Sequence, residues 1–282
     1  MQRFLVIGAT GVAGSAGIEA IRRHFDEAHI TALWYGREND GTQVDGADLT
    51  LFGDITDPAC LDGIASAAGE DFDWCLYATA LGDVGFPSDQ ATAEQIATSN
   101  RLSFEPLVTL ERRFRIGAMI AYSTFYNLEY QKITYGAMAH SKRAIEEWAA
   151  DGNGATKHLC LRAGAFRSAS SQGIKLLVRR RAKELAQSSN PILRSFFENE
   201  KPSVAVEKME QAVFDEERQV YGDTHTDKDG LVAAHLEIFA RPDAPAFHGL
   251  EDILFHRMIG DDLHSHCGFP FFILPLCSLN RE

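Results

Sequence analysis

Three glycines recur at every third position directly after a short apolar run near the start of the chain. The run is residues 4–7, and the glycines are Gly8, Gly11 and Gly14. Glycine permits positive φ and leaves no side chain in the way of an approaching anion. When such a turn opens a helix, the free N–H groups and the helix dipole face that anion. The feature therefore predicts a dinucleotide-binding turn, with a ligand-free strand–helix turn as the alternative.

Short apolar runs alternate with longer amphipathic segments through the first half of the chain, which is typical of βαβ units. The predicted strands are residues 4–7, 30–34, 48–52, 74–78, 117–122 and 158–162. The predicted helices are residues 18–25, 58–68, 90–114, 135–150, 174–186 and 206–217. The pattern predicts an α/β fold with a Rossmann-type, doubly wound parallel sheet, in a single domain over residues 1–282.

Charge and length exclude several classes of protein. The 282 residues include 27 Lys and Arg against 40 Asp and Glu, so the formal net charge is −13. This balance argues against nucleic-acid binding and against docking on an anionic membrane, because both need surplus positive charge. No apolar run approaches the roughly 20 residues that span a bilayer. Five scattered cysteines and the absence of a signal-peptide pattern indicate a reduced, cytoplasmic location.

The turn Thr10-Gly11-x-x-Gly14 resembles the cofactor turn of the short-chain dehydrogenase/reductase family, and the resemblance covers about the first 175 residues. In that family an Asp after the third strand binds the adenine amino group, and Asp54 stands at that place; capping of a turn is the alternative role. After the fourth strand, Tyr77-Ala78-Thr79-Ala80 replaces the family's Asn-Asn-Ala-Gly. The cofactor-binding residues implied by the resemblance are Gly8, Thr10, Gly11, Val12, Gly14, Asp54, Ile55, Ala78 and Lys142.

The residues after the second strand favour NADP over NAD. NAD-binding relatives place a carboxylate there for the ribose hydroxyls, whereas this chain continues from Trp34 to Arg37. A guanidinium can pair with a 2′-phosphate through two charge-assisted hydrogen bonds. Glu38, which follows Arg37, is evidence against NADP. The alternative role of Arg37 is that of a solvated loop residue.

A tyrosine and a lysine stand seven residues apart in a predicted helix. Seven residues are two helical turns, so Tyr135 and Lys142 are expected on one face. Met138 occupies the position where the family's Tyr-x-x-x-Lys motif has its tyrosine. The spacing Tyr135-x-x-Met138-x-x-x-Lys142 resembles the active-site motif of the enoyl-acyl-carrier-protein reductases, a branch of the family. Residues 163–168 and 172–175 are similar to the stretch that leads into the substrate lid of those enzymes.

The resemblance implies four catalytic roles. Tyr135 would donate a proton to the reacting oxygen, and Lys142 would hold the nicotinamide ribose and favour the phenolate. Ser123, at the end of the fifth strand, would hydrogen-bond the substrate oxygen, and Asn100 would support a proton-relay water. The alternatives are a surface lysine for Lys142, a strand-end turn for Ser123 and a helix cap for Asn100.

Together, these features predict that the protein is an NADP(H)-dependent oxidoreductase. It would reduce a carbonyl or an enoyl group of a small molecule by hydride transfer. Residues 1–165 would form the cofactor and catalytic scaffold, and residues 166–282 a substrate lid and C-terminal region. The resemblance implies a homodimer or homotetramer, and no metal site is expected. A non-catalytic, redox-sensing NADP-binding protein is the rival hypothesis, because Met138 replaces the usual tyrosine.

Three further features have ordinary explanations. The basic run Arg179-Arg180-Arg181 with Lys183 is typical of a solvated helix face. The Phe-rich segment 269–274 is expected to pack within the chain. A C-terminal group of His and Cys residues has no zinc-site spacing and indicates a polar surface or a subunit contact. Its members are His256, His264, His266 and Cys267.

Overall fold

One sheet forms the centre of the molecule, and six of its strands are parallel. The computed structural model describes residues 1–152, 154–166, 168–221, 226–241 and 271–273. Within these residues the strand order is β3-β2-β1-β4-β5-β6-β7, and β7 runs antiparallel to β6. The strands are β1 (Gln2–Ile7), β2 (Ala28–Trp34), β3 (Leu49–Phe52), β4 (Asp71–Tyr77), β5 (Arg115–Thr124), β6 (Lys157–Ala163) and β7 (Phe271–Ile273).

Helices cover both faces of the sheet. Helices α1 and α11 lie on one face, and α2, α4 and α6 lie on the other. Strand order and helix placement together confirm the predicted doubly wound, Rossmann-type architecture. The helices are α1 (Val12–His24), α2 (Pro58–Ala68), α3 (Ala93–Ser103), α4 (Glu105–Arg113), α5 (Glu129–Lys132), α6 (Met138–Ala150), α7 (Ala169–Arg180), α8 (Ala182–Leu185), α9 (Pro191–Phe197), α10 (Pro202–Tyr221) and α11 (Lys228–Phe239).

The apolar runs of the sequence follow from burial on both faces of the sheet. Along β5, Ile120 and Tyr122 belong to the core beneath α1 and α11, whereas Met119 and Ala121 belong to the core beneath α4 and α6. A strand covered on both sides has no solvent face, so its sequence shows no alternation between apolar and polar residues.

Five of the six predicted helices differ in their limits from the helices of the structure, and two of these differences have a clear local cause. The predicted helix 90–114 is two helices that meet at Phe104, and Pro106 lies in the first turn of α4. Proline lacks the N–H that would continue a preceding helix. The predicted helix 135–150 begins only at Met138, because Gly136 has φ +51°. Tyr135 therefore lies in the turn before α6, and the prediction that it lies on the helix is wrong.

The segment that begins after β6 and ends with α10 forms a helical layer of its own. Helices α7 to α10 pack on one another through a third apolar core that includes Val178, Leu193, Phe197 and Met209. Among the described residues no helix is long and apolar enough to cross a membrane. The C-terminal His and Cys group, Arg167, and the Phe-rich segment apart from the β7 backbone lie outside the described residues.

A buried carboxylate ties this layer to the sheet. Glu217 on α10 is 1% exposed and accepts hydrogen bonds from the Ala165 N–H at 3.0 and 3.2 Å. Gln131 donates a further, longer bond of 3.3 Å. Burial raises the pKa of Glu217, and these hydrogen bonds oppose the rise only in part. Glu217 thus fixes α10 against the loop that follows β6.

Replacing Glu217 with Gln keeps the size of the side chain and removes its charge. Because its pKa is raised on folding, the stability contribution of Glu217 is present below the ordinary carboxyl pKa and is lost as pH rises through the raised value. We therefore expect E217Q to gain stability relative to the unchanged protein between about pH 4 and pH 8. Urea unfolding at both pH values measures this difference.

The control is E207Q, since Glu207 is exposed on the same helix. We expect no such trend for E207Q. A stability difference for E217Q that is the same at both pH values would contradict the raised pKa.

Candidate functional site

A cavity of about 290 Å³ lies where the carboxyl ends of the central strands meet α7 and α10. In an open parallel sheet this edge is where ligands bind, because the chain crosses from one face to the other there. The strand ends and the loops that follow them contribute Ala78, Ser123 and Gly164 to the wall, among others. The helical layer contributes a mostly apolar wall with one ion pair, Lys175–Glu210, between α7 and α10. Its apolar members are Ile174, Val178, Val206, Met209, Val213 and Phe214.

Three of the four predicted catalytic residues line this cavity. Ser123 comes from the end of β5, Tyr135 from the turn before α6, and Lys142 from α6 itself. The fourth, Asn100, does not line it. Asn100 lies on α3, and its Oδ1 accepts a hydrogen bond of 2.9 Å from Ser141 on α6. Its observed contact thus joins two helices.

Lys142 is held in place by the backbone of the sheet. The side chain is 6% exposed, and its Nζ donates a hydrogen bond of 2.8 Å to the Tyr122 carbonyl oxygen. Burial lowers the pKa of Lys142 to about 8, against the opposing influence of neighbours that include Glu146. An ammonium at this position is directed at the wall of the cavity, so the surface-lysine alternative is excluded.

The hydroxyl of Tyr135 is a proton donor at neutral pH. Burial raises the pKa of Tyr135, which is opposite to the influence expected from Lys142. The turn that carries Tyr135 is fixed by hydrogen bonds from the Gly136 and Ala137 N–H groups to the Phe86 and Asp83 carbonyls, at 3.0 and 2.9 Å. A protonated phenol on a fixed turn can donate to an oxygen of a bound molecule.

Sequence reasoning missed the partner of Ser123. The Ser123 hydroxyl donates a hydrogen bond of 2.6 Å to Glu146 Oε1, and Glu146 also forms a buried ion pair with Arg162. One signal was present in the sequence, because Glu146 follows Lys142 by four residues and so lies on the same helix face.

The glycine turn has the close backbone contacts that its composition predicts. Gly8 has φ +76°, and a Cβ there would lie 2.6 Å from the Ala78 carbonyl oxygen. A Cβ on Gly14 would lie 2.4 Å from the Gly8 oxygen. The turn therefore packs β1 against α1 and β4 at distances that only glycine permits.

The first turn of α1 fits an anion. Gly11 is the N-cap without a side-chain cap, and the first turn contains no acidic residue. The N–H groups of Val12, Ala13 and Gly14 have no backbone partner among the described residues, as expected at a helix start. Ala13 also lines the cavity, so this helix end adjoins Tyr135 and Lys142.

The loops beyond β2 and β3 form an exposed surface at the same edge of the sheet. Arg37 is exposed and has no hydrogen bond or ion pair within the part of the chain that the structure describes. Asp54 is exposed and accepts hydrogen bonds from the Thr56 N–H and hydroxyl at 2.9 and 2.8 Å. These bonds use only Oδ1, so turn capping leaves Oδ2 available. The half-buried Ile55 packs against the apolar core on the α2, α4 and α6 side of the sheet.

An exposed aromatic residue in this region was not predicted. Tyr35 is 66% exposed, and its ring stacks on Phe52 at 6.2 Å between centroids with an interplanar angle of 11°. A flat aromatic surface of this kind can stack a nucleobase. Among the described residues, no group of three or more His, Cys, Asp and Glu side chains could hold a metal ion.

No family model and no curated protein matches the chain by sequence. Solved structures do match its fold. Levodione reductase is 15% identical with a TM-score of 0.55, and the match covers 86% of this chain and 91% of that one. An enoyl-acyl-carrier-protein reductase from Bacillus cereus, solved with NADP+, is 14% identical with a TM-score of 0.50, covering 76% and 88%.

A short-chain dehydrogenase/reductase from Saccharomyces cerevisiae is also 14% identical, with a TM-score of 0.50 and coverage of 72% and 86%. At identities of 14–15%, these similarities show the fold of the chain and no more. The parallel sheet with helices on both faces agrees with them. The chain therefore has the fold of the short-chain dehydrogenases/reductases.

Proposed function

We propose that the protein is an NADP(H)-dependent oxidoreductase acting on a carbonyl or activated alkene of a small molecule. The observation that carries the proposal is the meeting of Tyr135, Lys142 and Ser123 in one cavity that adjoins the glycine turn. A proton donor, an ammonium and a hydroxyl converge there on a largely apolar space. Residues 1–165 would hold the cofactor, and residues 166–282 would cover the substrate.

The residues of the turn fit a dinucleotide. The uncapped start of α1 offers N–H groups and a partial positive charge to a pyrophosphate, and Gly8 and Gly14 keep the backbone free of side chains. Asp54 Oδ2 and the Tyr35 ring would receive the adenine. Arg37 would pair with a 2′-phosphate, which is the reason for favouring NADP over NAD. When bound, the nicotinamide would supply or accept the hydride.

The chain's own residues supply the remaining chemistry. Tyr135 would donate its phenolic proton to the substrate oxygen on which negative charge develops. Lys142, held by the Tyr122 carbonyl, would place positive charge beside that oxygen and bond the ribose. The apolar wall from α7 and α10 would exclude water, which strengthens both interactions.

One observation favours the rival function of a non-catalytic, redox-sensing NADP-binding protein. Burial raises the pKa of Tyr135, so the phenolate that would accept a proton in alcohol oxidation is disfavoured. A sensor would bind the cofactor and turn over neither carbonyl nor enoyl compounds. For either function, the resemblance supports a cytoplasmic homodimer or homotetramer.

Replacing Tyr135 with Phe tests the proton donor. We expect the rate of NADPH oxidation at saturating substrate to fall at least about a hundredfold, because a positioned general acid contributes that much. The Kd for NADPH, measured by fluorescence titration, should stay the same. A panel of ketones, aldehydes and enoyl thioesters supplies the substrate.

The matched control is Y130F, since Tyr130 is half-buried and lies outside the cavity lining. It should retain the activity of the unchanged protein. Full turnover by Y135F would exclude Tyr135 as the acid. NADPH binding without turnover by the unchanged chain would favour the sensor.

Replacing Arg37 with Gln tests the choice of cofactor. The variant loses the charge-assisted bonds to a 2′-phosphate, so we expect the Kd for NADPH to rise about tenfold or more while that for NADH changes little. Isothermal titration measures both constants. The control is R112Q, an exposed arginine on α4. Equal weakening for the two cofactors would contradict a role in phosphate recognition.

A further inference from the structure

One ion pair interrupts the apolar wall that the helical layer presents to the cavity. Lys175 on α7 and Glu210 on α10 both line the cavity and pair with each other. On each helix the cavity-lining residues recur at a spacing of a helical turn, so the charged side chain shares a face with its apolar neighbours. These neighbours are Ile174 and Val178 on α7, and Val206, Met209, Val213 and Phe214 on α10. The pair therefore belongs to the inner face of the helical layer.

Most of each charged side chain is removed from solvent. The Lys175 side chain is 25% exposed, and the Glu210 side chain is 23% exposed. A largely buried ion pair adds little stability over apolar residues of similar size, because desolvation of the two charges offsets their attraction. Apolar residues at these two positions would join α7 to α10 at least as well. Packing between the helices therefore does not account for two charges in this wall.

The pair retains hydrogen-bonding capacity that the protein does not use. Among the described residues, each charged group has the other as its only ionic or hydrogen-bonding partner. An ammonium has three donors and a carboxylate has two acceptor oxygens, so one contact between them leaves donors and acceptors available. Ser168 and Ser171, polar residues of the same wall, are instead engaged with each other in the capping box of α7. Lys175 and Glu210 can therefore bond a molecule in the cavity without disturbing a helix end.

The two opposite charges decide which chemical group fits beside them. A carboxylate near Lys175 would also face Glu210, and an ammonium near Glu210 would also face Lys175. An alkyl group would cover both charges and form no hydrogen bond with either, which carries a desolvation penalty. A neutral group with a donor and an acceptor can accept from Lys175 and donate to Glu210 at the same time. Of these kinds of group, only the last is complementary to both members of the pair.

We propose that Lys175 and Glu210 form a specificity subsite that binds a carboxamide or hydroxyl group of the substrate, remote from the reacting carbon. The inference rests on the proposed function. Tyr135 and Lys142 act on the carbonyl or alkene near the strand ends, whereas the pair lies on the helical wall of the same cavity. The substrate is then a carbonyl or enoyl compound with an apolar body and a second polar group that is uncharged.

A series of substrates that differ only at the end remote from the reacting group tests the subsite. The series is built on a ketone, aldehyde or enoyl thioester that the unchanged chain turns over, and its members end in methyl, carboxamide, hydroxyl, carboxylate or ammonium. We expect kcat/KM for the carboxamide- or the hydroxyl-ended member to exceed that for each of the other three about tenfold, because hydrogen bonds to charged groups are the strong ones. Equal values for the methyl-ended and the neutral polar members, or a preference for a charged end, would overturn the proposal.

Variants that change the charge of the subsite give a second test on the same series. E210Q leaves Lys175 as the one charge of the pair, so we expect kcat/KM for the carboxylate-ended member to rise about tenfold. K175M leaves Glu210 and should have the same effect on the ammonium-ended member. K175M/E210L leaves no unpaired charge and continues the apolar wall, so the methyl-ended member should become the preferred substrate. A pair that only holds α7 to α10 would leave the order of preference the same in all variants, which would overturn the proposal.

The matched control is K208M/E200Q, which removes another ion pair of the helical layer that lies outside the cavity lining. This variant should keep the order of preference of the unchanged chain. Turnover without the expected order of preference would overturn the subsite and leave the oxidoreductase standing. Absence of turnover on every compound would contradict the proposed function itself.

Binding of an unreactive amide tests the subsite independently of turnover. Hexanamide is titrated into the unchanged chain and into K175M/E210L, and binding is followed by ligand-observed NMR. We expect the Kd for hexanamide to rise about tenfold in the double variant, because two hydrogen bonds to charged groups are lost. An equal Kd for the two proteins would overturn the proposal whether or not the chain is active.

Discussion

The attachment of α6 to the sheet through polar contacts is the constraint on which the candidate site depends. Lys142 bonds the Tyr122 carbonyl, and Glu146 bonds Ser123 and Arg162, all with little exposure to solvent. Apolar packing of the same helix would bury comparable area, but it would not orient a hydroxyl or an ammonium. Buried polar contacts are costly when one partner is missing, so these bonds fix both the helix and the groups that face the cavity.

The doubly wound sheet explains where that cavity lies. Parallel strands end at one edge, and the chain departs there to opposite faces, which leaves a space between the loops. The glycine turn after β1, the Tyr135 turn after β5 and the loop after β6 all meet at this edge. The layer formed by α7 to α10, held by Glu217, closes the space with an apolar wall.

The local features of the sequence allowed much of the scaffold to be predicted. Helix α2 has the predicted limits, because Asp57 caps it and Pro58 opens it. The predicted limits of the other helices were less accurate, and at the start of α6 a single backbone angle decided the limit. Gly136, with its positive φ, places Tyr135 in a turn, and the spacing of Tyr135 and Lys142 could not show this. Both residues still line one cavity, since the turn directs Tyr135 toward it.

By itself the sequence determined the alternation of strands and helices, the glycine turn and the chemical types of the candidate residues, since these depend on local preference and short spacing. Only the tertiary structure decided which groups meet. Ser123, Glu146 and Arg162 come from β5, α6 and β6, and their contact depends on strand register and helix packing. The direction of the Ser123 proton follows from that contact, because a hydroxyl takes its role from its neighbours.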